Sequence, residues 1–274
     1  YLTKQNNQGS NVYWGVETLK KYYAYTGDRE AFLPISRLIE RVAYYHTPAD
    51  WAWPNVPRTQ DDTPDGEYTD EWGGVDKLCM VALGYINYYK LTSEKLYVDK
   101  TVDIAKTVIS HVKEGDESHS PLPFRVNFRS GEILDPYCSN MILAIQLFDE
   151  LLKLDSGIST SVLHQKRSVL WNWILKYPMQ NHWWSGYYED VVSNYNNLNQ
   201  QNAMETARYI LRNPEIDPDY KTDVPALIHW VEKRFGQTKR FGATSIREQD
   251  GCFQEMSSHT ARYASVVAMW YGVS

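Results

Sequence analysis

Apolar residues recur every three or four positions along most of the chain, the mark of helices with one buried stripe. Val75, Leu78/Cys79, Ala82/Leu83, Ile86 and Tyr89 trace one stripe, and Val98, Val102, Ala105, Val108/Ile109 and Val112 trace the next. Tyr137, Met141, Ala144, Phe148 and Leu151/Leu152 predict a further helix, partnered by Leu163, Val169/Leu170, Trp173/Ile174 and Tyr177. No stretch sustains alternation bounded by hairpin turns, so little or no sheet is expected beyond a short ribbon near 122–134.

The helices repeat in pairs. Lys21-Tyr22-Tyr23-Ala24-Tyr25-Thr26-Gly27-Asp28 returns 66 positions later as Asn87-Tyr88-Tyr89-Lys90-Leu91-Thr92-Ser93-Glu94. A looser copy, Leu151-Leu152-Lys153-Leu154-Asp155-Ser156-Gly157, follows after another 63. Each reads as a helix end, a polar turn and a second amphipathic helix, which is a repeated helical hairpin. Thr206-Ala207-Arg208-Tyr209 also recurs, as Thr260-Ala261-Arg262-Tyr263. Four hairpins are expected near 11–47, 71–113, 137–177 and 202–235, then a lone helix from about 257 to 272. Turns inside the hairpins are short, at 26–30, 91–95, 155–161 and 212–222, whereas the connections at 48–71, 114–136, 178–201 and 236–256 are long. Irregular loops beyond about 12–15 residues are usually functional. Because the hairpins alternate in direction, the long loops are expected together at the N-terminal ends of the first helices.

This layout resembles the six-hairpin glycosidase superfamily, an (α/α) toroid whose inner helices line a central cavity. The turns Tyr25-Thr26-Gly27-Asp28 and Leu91-Thr92-Ser93-Glu94 carry the resemblance, with the aromatic and acidic loops before each inner helix. It implies an all-α (α/α) toroid or open arc of helical hairpins, one domain over residues 1–274. About four and a half hairpins are visible where the family's ring has six, so the expectation is either a chain truncated relative to a full ring or a ring that is open. It begins at Tyr1 rather than Met, so its first residue is read as not the native N-terminus.

The loop at 48–71 holds Trp51, Trp53, Asp61, Asp62, Asp65, Glu67, Asp70 and Glu71, with Trp72 just after it. Hydrolysis of a glycosidic bond uses two carboxyl groups, one protonated and one ionised, and burial against aromatic rings raises one of the two pKa values. Asp70-Glu71-Trp72 is expected to open an inner helix, which gives Asp70 and Glu71 a second reading as acids favoured by the helix dipole. The loop at 178–201 sets His182-Trp183-Trp184-Ser185-Gly186-Tyr187-Tyr188 beside Glu189 and Asp190, then runs into amides that include Asn197 and Gln200. Aromatic faces stack on pyranose rings and amides bond hydroxyls as donor and acceptor, which is what a saccharide site requires. The candidate catalytic carboxyls are therefore Glu189, Asp190, Asp70 and Glu71. Candidate sugar contacts are Trp53, Trp72, Trp183, Trp184, Tyr188, Asn197 and Gln200.

The repeated Arg has two readings. Arg208 and Arg262 can each bridge a carboxylate as a fastener of the repeat. Alternatively His259, Arg262 and Tyr263 bind and deprotonate a uronic acid, as in a polysaccharide lyase. Overall the expectation is a glycoside hydrolase on oligo- or polysaccharide, with a lyase or a non-catalytic glycan-binding protein as alternatives.

Charge and composition narrow the partners. The balance of 28 basic against 34 acidic residues is −6 with no basic block, which argues against nucleic acid. No apolar run approaches the ~20 residues of a membrane span. Cys79, Cys138 and Cys252 are too far apart for a paired metal site, and the seven histidines show no ligand spacing. Dinucleotide and phosphate loops are missing, so no cofactor or metal is expected. An extracytoplasmic location, secreted or periplasmic, is expected, with oligomeric state open. Aromatics reach 14%, with 10 Trp and 21 Tyr, and five of those Trp lie in or beside the two acidic loops.

Overall fold

The computed structural model describes residues 8–58, 71–186, 197–240 and 242–273, apart from the side chains of 238–240 and 253–255. They fall into two compact units, Tyr1–Pro136 with Leu143–Trp173, and Tyr137–Ile142 with Ile174–Ser274.

In the first unit the expected hairpins form. They pair α1 (Gln8–Thr26) with α2 (Phe32–Tyr44), and α3 (Val75–Thr92) with α4 (Lys95–His111). Helices α5 (Ile142–Leu152) and α6 (Thr160–Lys176) lie in this unit except for Ile142 and the stretch after Trp173. Helix α3 is buried almost all round from Val75 to Tyr88, as its sequence without a polar face demands. It is crossed closely by α1 at Gly84, where a Cβ would lie 2.8 Å from Val12 Cγ1. Its C-cap, Ser93, takes φ +65° and donates its N–H to Tyr89 O at 2.7 Å. Lys90 of α3 pairs with Glu150 of α5.

A small antiparallel sheet, β1 (Trp72–Gly74), β2 (Arg125–Asn127) and β3 (Ile133–Asp135), lies beside the start of α3. Strands β2 and β3 are the ribbon expected near 122–134. Strand β1 is a correction: Trp72 begins a strand paired with Asn127, and the helix starts only at Val75. Gly73 and Gly74 favour this extended entry, because glycine weakens a helix by about 1 kcal/mol relative to Ala. The acid in the first turn of α3 is therefore Asp76, not Asp70 or Glu71.

The second unit contains α7 (Pro178–Asn181), α8 (Gln200–Arg212), α9 (Tyr220–Phe235) and α10 (Ser257–Val273). It also holds an antiparallel sheet of β4 (Gly236–Arg240), β5 (Ala243–Gln249) and β6 (Cys252–Glu255). This sheet fills what was expected to be the last long loop. The buried positions of β5 are only Ile246 and Gln249, so the chain shows no alternation of apolar and polar residues there. The available signal was Asp250-Gly251, a hairpin dipeptide between β5 and β6. Among the described residues no helix is long and apolar enough to cross a membrane.

Candidate functional site

In the first unit the long connections dock on each other. Ala52 and Trp53 donate their N–H groups to Arg129 O and Phe128 O at 3.1 and 2.9 Å, and Phe128 N–H donates to Glu71 O at 2.7 Å. Trp53 is the pin of this arrangement. Its ring stacks on His111 with centroids 3.8 Å apart, touches Phe128, and is only 2% exposed. A ring sealed to that degree offers no face to a sugar, so the expected platform is packing instead. Trp72 is half-buried.

Glu71 lies one residue before β1, facing the turn between β2 and β3. The Asn127 side chain organises that turn: its Oδ1 accepts the N–H groups of Arg129 and Ser130, both at 2.9 Å. Gly131 completes the turn at φ +79° and donates to Asn127 O. With Oδ1 occupied, Asn127 Nδ2 is left to face Glu71 Oε2 at 3.4 Å, while Arg129 Nη1 donates to Glu71 Oε1 at 3.0 Å. The hydrogen bond from the Arg129 guanidinium holds the Glu71 carboxyl below the usual glutamate range, against an opposing effect of desolvation, with Asn127 and Arg58 adding to the depression. Arg58 itself lies over the Trp51 ring, 4.9 Å from its centroid. Asp70 falls outside the described residues.

In the second unit a dense polar nest surrounds the N-terminus of α8. Asn199 caps the helix, its Oδ1 accepting from Asn202 N at 3.0 Å and its Nδ2 donating to Trp184 O at 3.1 Å. Asn202 Nδ2 donates to Ser139 Oγ at 2.8 Å and to Ser185 O at 3.0 Å, with Gly186 O at 3.4 Å. Gly186 is required here. Its φ is +76°, and a Cβ would lie 2.6 Å from Tyr137 O. Ser185 Oγ donates to Asn197 O at 3.2 Å, so the residues flanking 187–196 are tied to one another. Asn197 Nδ2 in turn reaches Gln249 Oε1 at 2.9 Å, and Asp250 N–H donates to Leu198 O at 3.0 Å. Glu189, Asp190 and Tyr188 lie outside the described residues. Trp184 is fully buried and packs, whereas Trp183 is half-buried.

Gln200, His259 and Arg262 do come together. Gln200 Nε2 and Arg262 Nη1 both donate to His259 Nδ1, at 2.8 and 3.0 Å. A nitrogen that accepts two donors carries no proton, so the ring holds its N–H on Nε2, 3.5 Å from Glu248 Oε1. Arg262 Nε also donates to Glu205 Oε1 at 3.1 Å, and Arg208 Nη1 lies 3.5 Å from that same oxygen. The two arginines of the repeated motif thus converge on one carboxylate, a convergence that the repeat alone did not reveal. Tyr263 is pushed up to about 12 by burial and by Glu232.

No family model matches the sequence, and no curated protein matches it. Solved structures do match. A family 105 glycoside hydrolase of C. acetobutylicum ATCC 824 aligns with a TM-score of 0.64 at 13% identity, over 94% of this chain and 78% of that one. Cellobiose 2-epimerase from Spirochaeta thermophila DSM 6192 aligns with a TM-score of 0.67 at 12% identity, over 97% and 71%. At such identity the likeness is one of fold, an all-α arrangement of helical hairpins.

Proposed function

We propose that the chain is a carbohydrate-active enzyme, and specifically a glycoside hydrolase. The observation that carries this reading is Glu71, a partly open carboxylate whose two oxygens face Arg129 and Asn127, beside the half-buried Trp72. Both solved relatives are named for carbohydrate reactions, which supports the substrate class. Hydrolysis needs a second carboxyl in the opposite protonation state. Glu189 or Asp190 is proposed for it, from a segment whose flanks are fixed beside the amides of α8, and Asp70 remains a candidate next to Glu71. Trp72, Trp183 and Tyr188 are proposed as sugar contacts, with Asn197 at the flank. The lyase alternative is weaker because Arg262 is engaged by Glu205 and His259, and the Tyr263 hydroxyl is a poor proton acceptor at about 12.

The test is a panel of nitrophenyl glycosides and polysaccharides, read by nitrophenol release, by new reducing ends and by ultraviolet absorbance. New reducing ends without an unsaturated product support hydrolysis. An absorbing unsaturated uronate means a lyase. Binding that survives replacement of all four acids, without turnover, means a glycan-binding protein.

A further inference from the structure

Two carboxyls that share one hydrolytic reaction must differ in protonation, and the chain's own turn chemistry decides which half Glu71 takes. This rests on the hydrolase reading above. Asn127 cannot rotate freely, since its Oδ1 is fixed by two backbone N–H groups of the 128–131 turn. That leaves only its amide N–H₂ to present to Glu71. The same turn carries Arg129, whose backbone carbonyl is held by Ala52 N–H, and delivers its guanidinium to the other carboxylate oxygen. Among the described residues, the two side chains that hydrogen-bond Glu71 are therefore both donors, one of them with a full positive charge, and Arg58 adds a second positive charge to its surroundings.

A protonated carboxyl has a hydrogen to give and would meet a donor on either side. An ionised one accepts from both. We propose that Arg129, oriented with Asn127 by the β2–β3 turn, is a positioning residue that keeps Glu71 as an aimed carboxylate. Glu71 then takes the base or nucleophile half of the reaction. The proton donor is a different carboxyl.

The test compares wild type with Arg129→Gln, Arg129→Lys and Asn127→Asp. The last retains the oxygen acceptor that the turn needs but sets a carboxylate against Glu71. Titration of the side-chain carboxyls in glutamate-labelled protein by NMR, with Glu71 assigned through Glu71→Gln, reads Glu71 without any substrate. Its midpoint is expected below that of an ordinary glutamate, higher in Arg129→Gln and Asn127→Asp, and close to wild type in Arg129→Lys. On a nitrophenyl glycoside that the wild type cleaves, the acidic limb of kcat/KM moves with it. Arg129→Gln then loses roughly two- to fivefold more activity on that limb than at the plateau, the range expected for a solvent-exposed ion pair.

A midpoint unchanged by Arg129→Gln overturns the proposal. So does an acidic limb that stays in place while the midpoint moves. Full activity in Glu71→Gln overturns the assignment of Glu71 as a catalytic carboxyl, an outcome distinguishable because the titration of wild type and Arg129→Gln does not depend on it.

Discussion

Asn202 is the side chain on which the polar nest of the second unit depends, and its replacement has a magnitude that follows from its contacts. It is 1% exposed and its Nδ2 makes two good hydrogen bonds, to Ser139 Oγ and Ser185 O, with a third, longer approach to Gly186 O. Ser185 O also accepts from Ser139 N–H and Oγ, both at 2.8 Å, so Asn202→Ala does not leave it unsatisfied. The cost is then the net worth of two buried bonds, about 1 kcal/mol each, plus a small void. That sums to about 2–3 kcal/mol. In a protein of this size it lowers Tm by roughly 5–10 °C. Asn202→Asp is nearly isosteric, yet it aims a carboxylate oxygen at three acceptors in a sealed site. It should melt lower than Asn202→Ala at pH 7 and recover as the pH falls toward 4, where the protonated acid donates one bond again. Thermal unfolding by circular dichroism at pH 7 and pH 4 measures both. An Asn202→Asp protein as stable as wild type at pH 7 refutes the orientation assigned to this amide and the dryness of the nest.

Gly186→Ala forces a left-handed backbone on alanine, at about 1–2 kcal/mol, and drives a methyl to 2.6 Å from Tyr137 O, so a fall in Tm of roughly 5 °C or more is expected by calorimetry. Asp217 is buried and its carboxyl is raised by burial, partly offset by the Asp219 N–H that it accepts. A raised folded pKa makes the ionised form a liability above it. Asp217→Asn should therefore raise Tm at pH 7, with the gain shrinking as the pH falls through the raised value toward the ordinary aspartate range. A lower Tm at pH 7 would contradict that sign.

The helices were legible because their apolar stripes are long and their turns carry repeated residues, and each hairpin falls close to its expected place. Strand β1 was not legible, since three residues beginning with Trp72 carry no period, and tertiary pairing with Asn127 decided the matter. The sheet of β4–β6 was hidden for a related reason: along β5 only Ile246 and Gln249 are buried, which sets no period in the sequence. Among the aromatics, proximity to acids was visible while solvent access was not. Trp53 and Trp184 are closed over, whereas Trp72 and Trp183 keep part of their surface. Arg129 and Asn127 were missed altogether because they act through a turn 56 residues beyond Glu71. The Asn-Phe-Arg-Ser-Gly string was the signal, as an Asx residue three to four places before a glycine marks such a turn.

The convergence of Arg208 and Arg262 on Glu205 also constrains the order in which these three positions can change during descent. Losing either arginine first leaves a neutral pair of opposite charges. Losing Glu205 first leaves two mostly buried cations side by side without the carboxylate that they share, with His259 beside one of them. Lineages that abandon this fastener should therefore have given up an arginine before the glutamate, and the duplicated motif is expected to decay from its basic members inward.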